Sequence, residues 1–199
     1  AAAQRHDYAW IRRNLSNGAR VALTDVTSGY AVLSVMGPRS RELLQRMSPA
    51  DLSNAAFPFG TCREIEIGYA TALAFRVTFV GELGWELYLP SEFAGPVFDE
   101  VMREGGAFGL KLAGYHALDS LRSEKGYRHW GHDISPGDTV LEAGLGFTVS
   151  LTKDFIGREA VLRQYLRLAP YGNDSHGIAH AARFYFDKPV ADLSWAEIA

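Results

Sequence analysis

The chain has 199 residues, 47% hydrophobic and 22% charged, with 20 basic and 23 acidic side chains and a net charge of -3. This is globular composition, enough for one or two domains with a real core, and it offers no basic surface to nucleic acid. The lone Cys62 excludes an internal disulfide framework, no run nears the roughly 18 apolar residues of a membrane span, and residues 1–7 lack a signal-peptide core; the expectation is a soluble protein of a reducing compartment, with no membrane partner.

Tyr8, Ile11 and Leu15 recur at helical spacing within His6–Leu15, and Asn17-Gly18 can stop that helix. Arg20–Val26 and Gly29–Met36 read as two strands around the turn chemistry of Thr27-Ser28-Gly29. Gly37-Pro38 opens a predicted helix to Met47, since proline is tolerated in a first helical turn. Leu43, Leu44 and Met47 form its buried stripe. Ser48–Gly60, with Pro49, Pro58 and Gly60, reads as a loop holding a short helix.

Three extended runs follow: Cys62–Ile67, Thr71–Val80 and Trp85–Leu89. Ser91 is placed to cap the next helix, which would bury Phe93, Val97, Phe98 and Val101 and end at Gly105-Gly106. Ala113–Lys125 and Ile156–Leu166 read as helices, and Gly144–Leu151 as a strand. Strands and helices in mixed order, without regular βαβ alternation, predict an α+β fold with mainly antiparallel sheet. The sequence after Arg167 has weak periodicity and scattered aromatics, and no secure element is predicted there.

Several stretches invite a chemical reading. No glycine-rich dinucleotide or triphosphate loop occurs. His129-Trp130-Gly131-His132-Asp133 holds metal-ligating types, but a metal needs three or four converging ligands. The alternative is a polar turn with Asp133 bonding backbone N–H groups. Cys62, with no histidine nearby in sequence, reads as a small buried hydrophobe. In Val77–Pro90, "VTFVGELGWELYLP", Gly81-Glu82-Leu83-Gly84 reads as a hairpin loop with both glycines at positive φ. Trp85 and Glu86 then point to opposite faces. With Trp85 outward or over a cleft, Glu86 turns toward the core or a pocket, where a carboxylate is costly unless paired or bound.

Four collinear stretches resemble one family. They are "VLSVMGPRSRELL" (32–44), "RVTFVGELGWELYLP" (76–90), "AGYHALDSLRSEKGYRHWGHDISPGDTVLEAGLGFTV" (113–149) and "KDFIGREAVL" (153–162). Together they are similar to the folate-binding aminomethyltransferases, the family of the glycine cleavage T-protein. The "GELGWE" and "SLRSEKGYRHWG" wording favours the branch found in the C-terminal region of dimethylglycine and sarcosine dehydrogenases. The likeness spans about four fifths of the chain. It implies an incomplete folate-binding domain over residues 1–166, with 167–199 a divergent tail.

The resemblance further implies a tetrahydrofolate cofactor, with the Glu86 carboxylate gripping the pterin. A pterin edge offers a ring N–H beside an amino group, and a carboxylate accepts both. Tyr115, at the start of the "GYHALDSLR" helix, is carried over as a second cofactor contact. Arg122 and Glu124 read as parts of an internal ion pair, and Trp130 and Glu142 as packing or capping residues. Leu118 stands where T-proteins have a folate-holding arginine. The family's catalytic aspartate lies upstream of the point where this sequence starts, so no catalytic residue is assigned. Its C-terminal barrel-like domain is not matched by the tail.

The implied function is a tetrahydrofolate-binding module for one-carbon transfer from a demethylated glycine derivative. Whether this chain alone is an enzyme stays open. FAD enters only through an upstream flavin domain, as partner or fusion. The alternative is a non-catalytic regulatory or assembly module of the same fold. The implied location is cytoplasmic, or the mitochondrial matrix in a eukaryote.

Overall fold

The computed structural model describes residues 3–169, 172 and 175–194. The chain forms two compact units, Ala1–Tyr127 and Arg128–Ala199.

In the first unit, α1 (Gln4–Asn14), β1 (Tyr30–Met36) and α2 (Ser40–Met47) precede β2 (Cys62–Ile67), β3 (Ala70–Phe75) and β4 (Gly84–Pro90). α3 (Ala94–Gly105) and α4 (Tyr115–Glu124) complete it. The sheet is antiparallel throughout, in the order β1-β4-β3-β2. This is the expected α+β architecture. β2 and β3 meet at a two-residue turn whose first member, Gly68, sits at φ 56°, the conformation a tight hairpin demands of glycine.

The sheet has one packed face and one open face, as period-two alternation requires. Ile65 and Ile67 of β2, Ala70, Ala72 and Ala74 of β3, and Trp85, Leu87 and Leu89 of β4 all point inward. Against them lie Leu43, Leu44 and Met47 of α2 and Val97 and Val101 of α3, with Leu52 and Phe57 from the loop before β2. The predicted stripe of α2 is buried, as are Val97 and Val101 of the stripe predicted for α3, while Phe93 is partly buried and Phe98 exposed.

Trp85 is the largest fully buried side chain among the described residues, at 0% exposure. Phe57 meets it edge-on at 6.2 Å, and the Arg41 and Arg76 guanidiniums lie 5.7 and 5.6 Å from its ring. Those cations also fasten the loop over the ring. Arg76 donates to the Phe57 carbonyl at 2.6 Å and to Asn54 Oδ1 at 2.7 Å, and Arg41 donates to the same Asn54 oxygen and to the Leu52 carbonyl. The Trp85 indole N–H finds no acceptor among the described residues, so the ring is held by apolar burial and by cations over its π-face.

Several sequence expectations are corrected. Among the described residues Arg20–Val26 pairs with no strand, and Gly144–Leu151 holds a 3-10 turn, Gly146–Thr148, in place of a strand. The second extended run stops at Phe75, five residues short of Val80. The 48–60 loop contains turns but no helix. Ser91 does not cap α3, because its hydroxyl donates to the Ser28 carbonyl and a 3-10 turn, Ser91–Phe93, intervenes.

The second unit contains α5 (Arg158–Leu168) and α6 (Ile178–Phe186). Gly177, at φ 84°, sits so close to the Arg167 carbonyl that a Cβ would collide with it. The buried Ser175 hydroxyl shares a 2.6 Å hydrogen bond with His180 Nδ1. α6 answers the absence of a predicted element after Arg167: Ala181 and Ala182 are its buried positions.

Trp85→Ala is expected to lose about 3–5 kcal/mol of stability, the usual cost of truncating a buried aromatic. Urea unfolding followed by far-UV circular dichroism measures it, and a loss under about 1 kcal/mol would contradict the packing described.

Candidate functional site

The burial of Trp85 decides where Glu86 goes. Adjacent strand residues face opposite ways, so Glu86 lies on the open face of the sheet. This inverts the arrangement expected with an outward tryptophan. The register then sets its neighbours. Ser34 of β1 and Phe75 of β3 are the cross-strand partners of Glu86, and Cys62 of β2 is the partner of Phe75. The next row on the same face is Val32, Tyr88, Leu73 and Glu64.

These two rows form a half-buried carboxylate beside an aromatic platform. The Phe75 and Tyr88 rings lie 5.0 Å apart. The Tyr88 hydroxyl donates to Glu86 Oε2 at 3.2 Å. Burial first, and then the Glu86 charge and the hydrogen bond to it, push the Tyr88 phenol above its ordinary value. It therefore stays protonated at neutral pH and keeps donating. One Glu86 oxygen is engaged and Oε1 has no donor among the described residues. A half-buried carboxylate with an open oxygen, flanked by ring faces, suits a flat ligand whose edge carries N–H donors.

The "GELGWE" stretch resolves into distinct roles. Gly81 sits at φ 73° as expected. Gly84 does not: it belongs to β4, and a Cβ there would run into Met36 Sδ and come within 3.1 Å of the Val35 carbonyl. It is glycine because two strands approach closely. The connection between β3 and β4 is the long 76–83 segment, not a four-residue hairpin loop. Glu82, expected as a loop residue, pairs with Lys125 Nζ at 3.2 Å and so ties the connection to the end of α4.

Other expectations land as follows. Tyr115 occupies the first turn of α4, outside the sheet and 66% exposed, so the structure does not place it on the Glu86 row. Arg122 is buried and paired, but with Asp119 at 3.0 Å and not with Glu124; it also donates to the Tyr127 carbonyl. Cys62 is exposed, against the expected buried thiol. Asp133 accepts from the His129 backbone N–H at 2.9 Å, the polar-turn role. Glu142 accepts from both the N–H and the hydroxyl of Thr139, a capping role, while Trp130 is largely exposed. Ser34, Phe75 and Tyr88 were missed as site residues. Alternation alone would have placed Tyr88 beside Glu86, but Ser34 and Phe75 need the register.

The model of the GCVT N-terminal domain matches residues 1–153. The chain belongs to this family. Among curated relatives, 4-methylaminobutanoate oxidase (formaldehyde-forming) of Paenarthrobacter nicotinovorans is 49% identical over 162 residues, covering 80% of this chain and 20% of the relative. Mitochondrial sarcosine dehydrogenase of Mus musculus is 45% identical over 166 residues, 82% of this chain and 18% of the relative. The mitochondrial pyruvate dehydrogenase phosphatase regulatory subunit of Mus musculus is 40% identical over 181 residues, 87% of this chain and 21% of the relative. The chain thus spans about a fifth of the length of these GCVT relatives. A second model, Transglycosylase, matches residues 143–199, under a third of the chain. Among the described residues, no helix is long and apolar enough to cross a membrane.

Because burial raises the Tyr88 pKa in the folded state, its contribution to stability is present at neutral pH and is lost as pH rises through the folded value. Subtracting the ultraviolet phenolate titration of Tyr88→Phe from that of the wild type should isolate a tyrosine titrating above about 10. Glu86→Gln should move it partway back. A Tyr88 titration unchanged by Glu86→Gln would contradict the pairing.

Proposed function

We propose that the first unit is a tetrahydrofolate-binding module serving one-carbon transfer from a demethylated glycine derivative, with Glu86 as its anchor. The observation that carries this reading is the half-buried Glu86 carboxylate, set between Ser34 and Phe75 with one oxygen held by Tyr88. Membership of the GCVT family and likeness to 4-methylaminobutanoate oxidase (formaldehyde-forming) and to sarcosine dehydrogenase support it.

The residues present fit the cofactor. Glu86 Oε1 accepts an N–H from the pterin edge, while Tyr88 holds the other oxygen and fixes the carboxylate plane. Phe75 offers a ring face to a flat heterocycle and excludes water from it. Tetrahydrofolate, when bound, supplies the nitrogen nucleophile that takes up the one-carbon unit. The chain's own residues bind and orient; no acid–base role is assigned to any of them. Tyr115 is proposed as a contact from α4 on the family resemblance alone. FAD chemistry would belong to a flavin domain, as partner or fusion, in the cytoplasm or mitochondrial matrix.

A second reading, a regulatory or assembly module of the same fold, is favoured by the likeness to the phosphatase regulatory subunit. Isothermal titration calorimetry with tetrahydrofolate separates the two. The first reading predicts binding by the wild type and a loss of about ten- to a hundredfold in Glu86→Ala, the value of a charge-assisted hydrogen bond. Equal affinity of both proteins would remove Glu86 as the anchor. No binding by the wild type would favour the regulatory module.

A further inference from the structure

The turn after α1 holds an exposed Asn17-Gly18 pair. α1 ends at Asn14. The Leu15 N–H donates to the Ile11 carbonyl, and the Ala19 N–H closes the turn on the Ser16 carbonyl at 3.1 Å. The chain then returns past α1: the Gln4 amide donates to Asp25 Oδ2 at 2.5 Å, and the Tyr8 hydroxyl to the Leu23 carbonyl at 3.5 Å. Asn17-Gly18 is the bend of that return.

The pair is set up to react with itself. Gly18 stands at φ 91°, and no heavy atom lies within 4 Å of the place a Cβ would take. Among the described residues, neither the Gly18 N–H nor the Asn17 side-chain amide makes a hydrogen bond. A backbone nitrogen followed by no side chain is open to its neighbour's amide carbon, and glycine lets the main chain turn to meet it.

Two other asparagines show what is different here. Asn14 lies in α1, donates from Nδ2 to the Trp10 carbonyl at 2.8 Å and precedes Leu15. Asn54 accepts at Oδ1 from Arg41 and from Arg76 and precedes Ala55. Either would have to give up hydrogen bonds and crowd a side chain to react. Asn17 gives up none.

We propose that Asn17 is a site of spontaneous deamidation and isoaspartate formation. The Gly18 nitrogen attacks Asn17 Cγ; the new C–N bond closes a five-membered imide, and the Cγ–N bond breaks to release ammonia, which carries away the Gly18 amide proton. Solvent water then opens the ring, its hydroxyl going to one imide carbonyl and its proton to the nitrogen. Opening at Cγ gives aspartate, and opening at the main-chain carbonyl gives isoaspartate. No electron transfer is involved. Either product adds one negative charge to a chain of net charge -3, beside the C-terminal, negative end of the α1 dipole. Isoaspartate also adds an atom to the main chain at the bend. α1 buries no residue, so the bend and the Gln4 and Tyr8 ties are what hold it, and the modified turn releases it. The reaction needs no ligand and does not rest on the folate reading.

Ageing the full chain in neutral buffer tests this. Tandem mass spectrometry of the tryptic peptide 14–20 separates Asn17 from Asn14, and methyl transfer by an isoaspartate-directed carboxyl methyltransferase counts the rearranged product. Conversion at Asn17 is expected to outpace that at Asn14 and Asn54 by about tenfold or more, since each of those must break hydrogen bonds first. Asn17→Gln, whose longer side chain closes a less favourable ring, should remove nearly all methyl acceptance. Hydrogen exchange across α1 should be faster in the aged protein than in fresh protein or in aged Asn17→Gln. Conversion at Asn17 no faster than at Asn14 or Asn54, or equal methyl acceptance by aged Asn17→Gln, would overturn the site. Unchanged exchange across α1 in fully converted protein would overturn its effect on the helix.

Discussion

The candidate site rests on one constraint: Trp85 is fully buried, and a strand allows its neighbour only the other face. Everything around Trp85 serves that burial. Phe57 packs edge-on to the ring, Arg41 and Arg76 stand over it, and the same arginines hold the 52–57 loop by its carbonyls and by Asn54. Turning β4 over would expose the indole and bury a carboxylate in its place. Either change costs several kcal/mol. The face Glu86 occupies is therefore set by the core, not by any ligand.

From that constraint the remaining site geometry follows through register. Gly84 lets β4 approach β1 closely enough to bring Ser34 opposite Glu86. The pairing of β3 with β4 sets Phe75 on the other side. Tyr88, two residues along, returns to the same face, and its phenol, kept protonated by burial, orients the carboxylate. The result is a rigid platform carried on a sheet, the kind of support that keeps a binding group within narrow limits.

What was readable in the sequence was mostly local. The alternation of Cys62–Ile67 and the apolar stripes of α2 and α3 survive because each is a pattern within one element that a core then uses. Arg20–Val26 has strand-like residues and yet pairs with no strand among the described residues, because a strand exists only with a neighbour, and the neighbour is not a local property. Glu86 emerged from the family resemblance and Tyr88 lay within reach of alternation. Ser34 and Phe75 lie 52 and 11 residues before Glu86, and only the observed register joins them. Gly84 shows the limit of residue-type rules: two glycines in one turn-like stretch serve different needs, a positive φ at Gly81 and a close strand approach at Gly84.

The folate role proposed for Glu86 comes from the family resemblance, and the fold sets Glu86 on the open face of the sheet beside Tyr88. The direct test of their union is carboxyl carbon-13 nuclear magnetic resonance of glutamate-labelled protein titrated with tetrahydrofolate. If Glu86 is the anchor, its carboxyl resonance, assigned by its loss in Glu86→Gln, moves on titration, and the amide shifts cluster at Ser34, Phe75 and Tyr88. A saturable titration in which the Glu86 resonance and those amides stay fixed would contradict the account, because the ligand would then bind elsewhere.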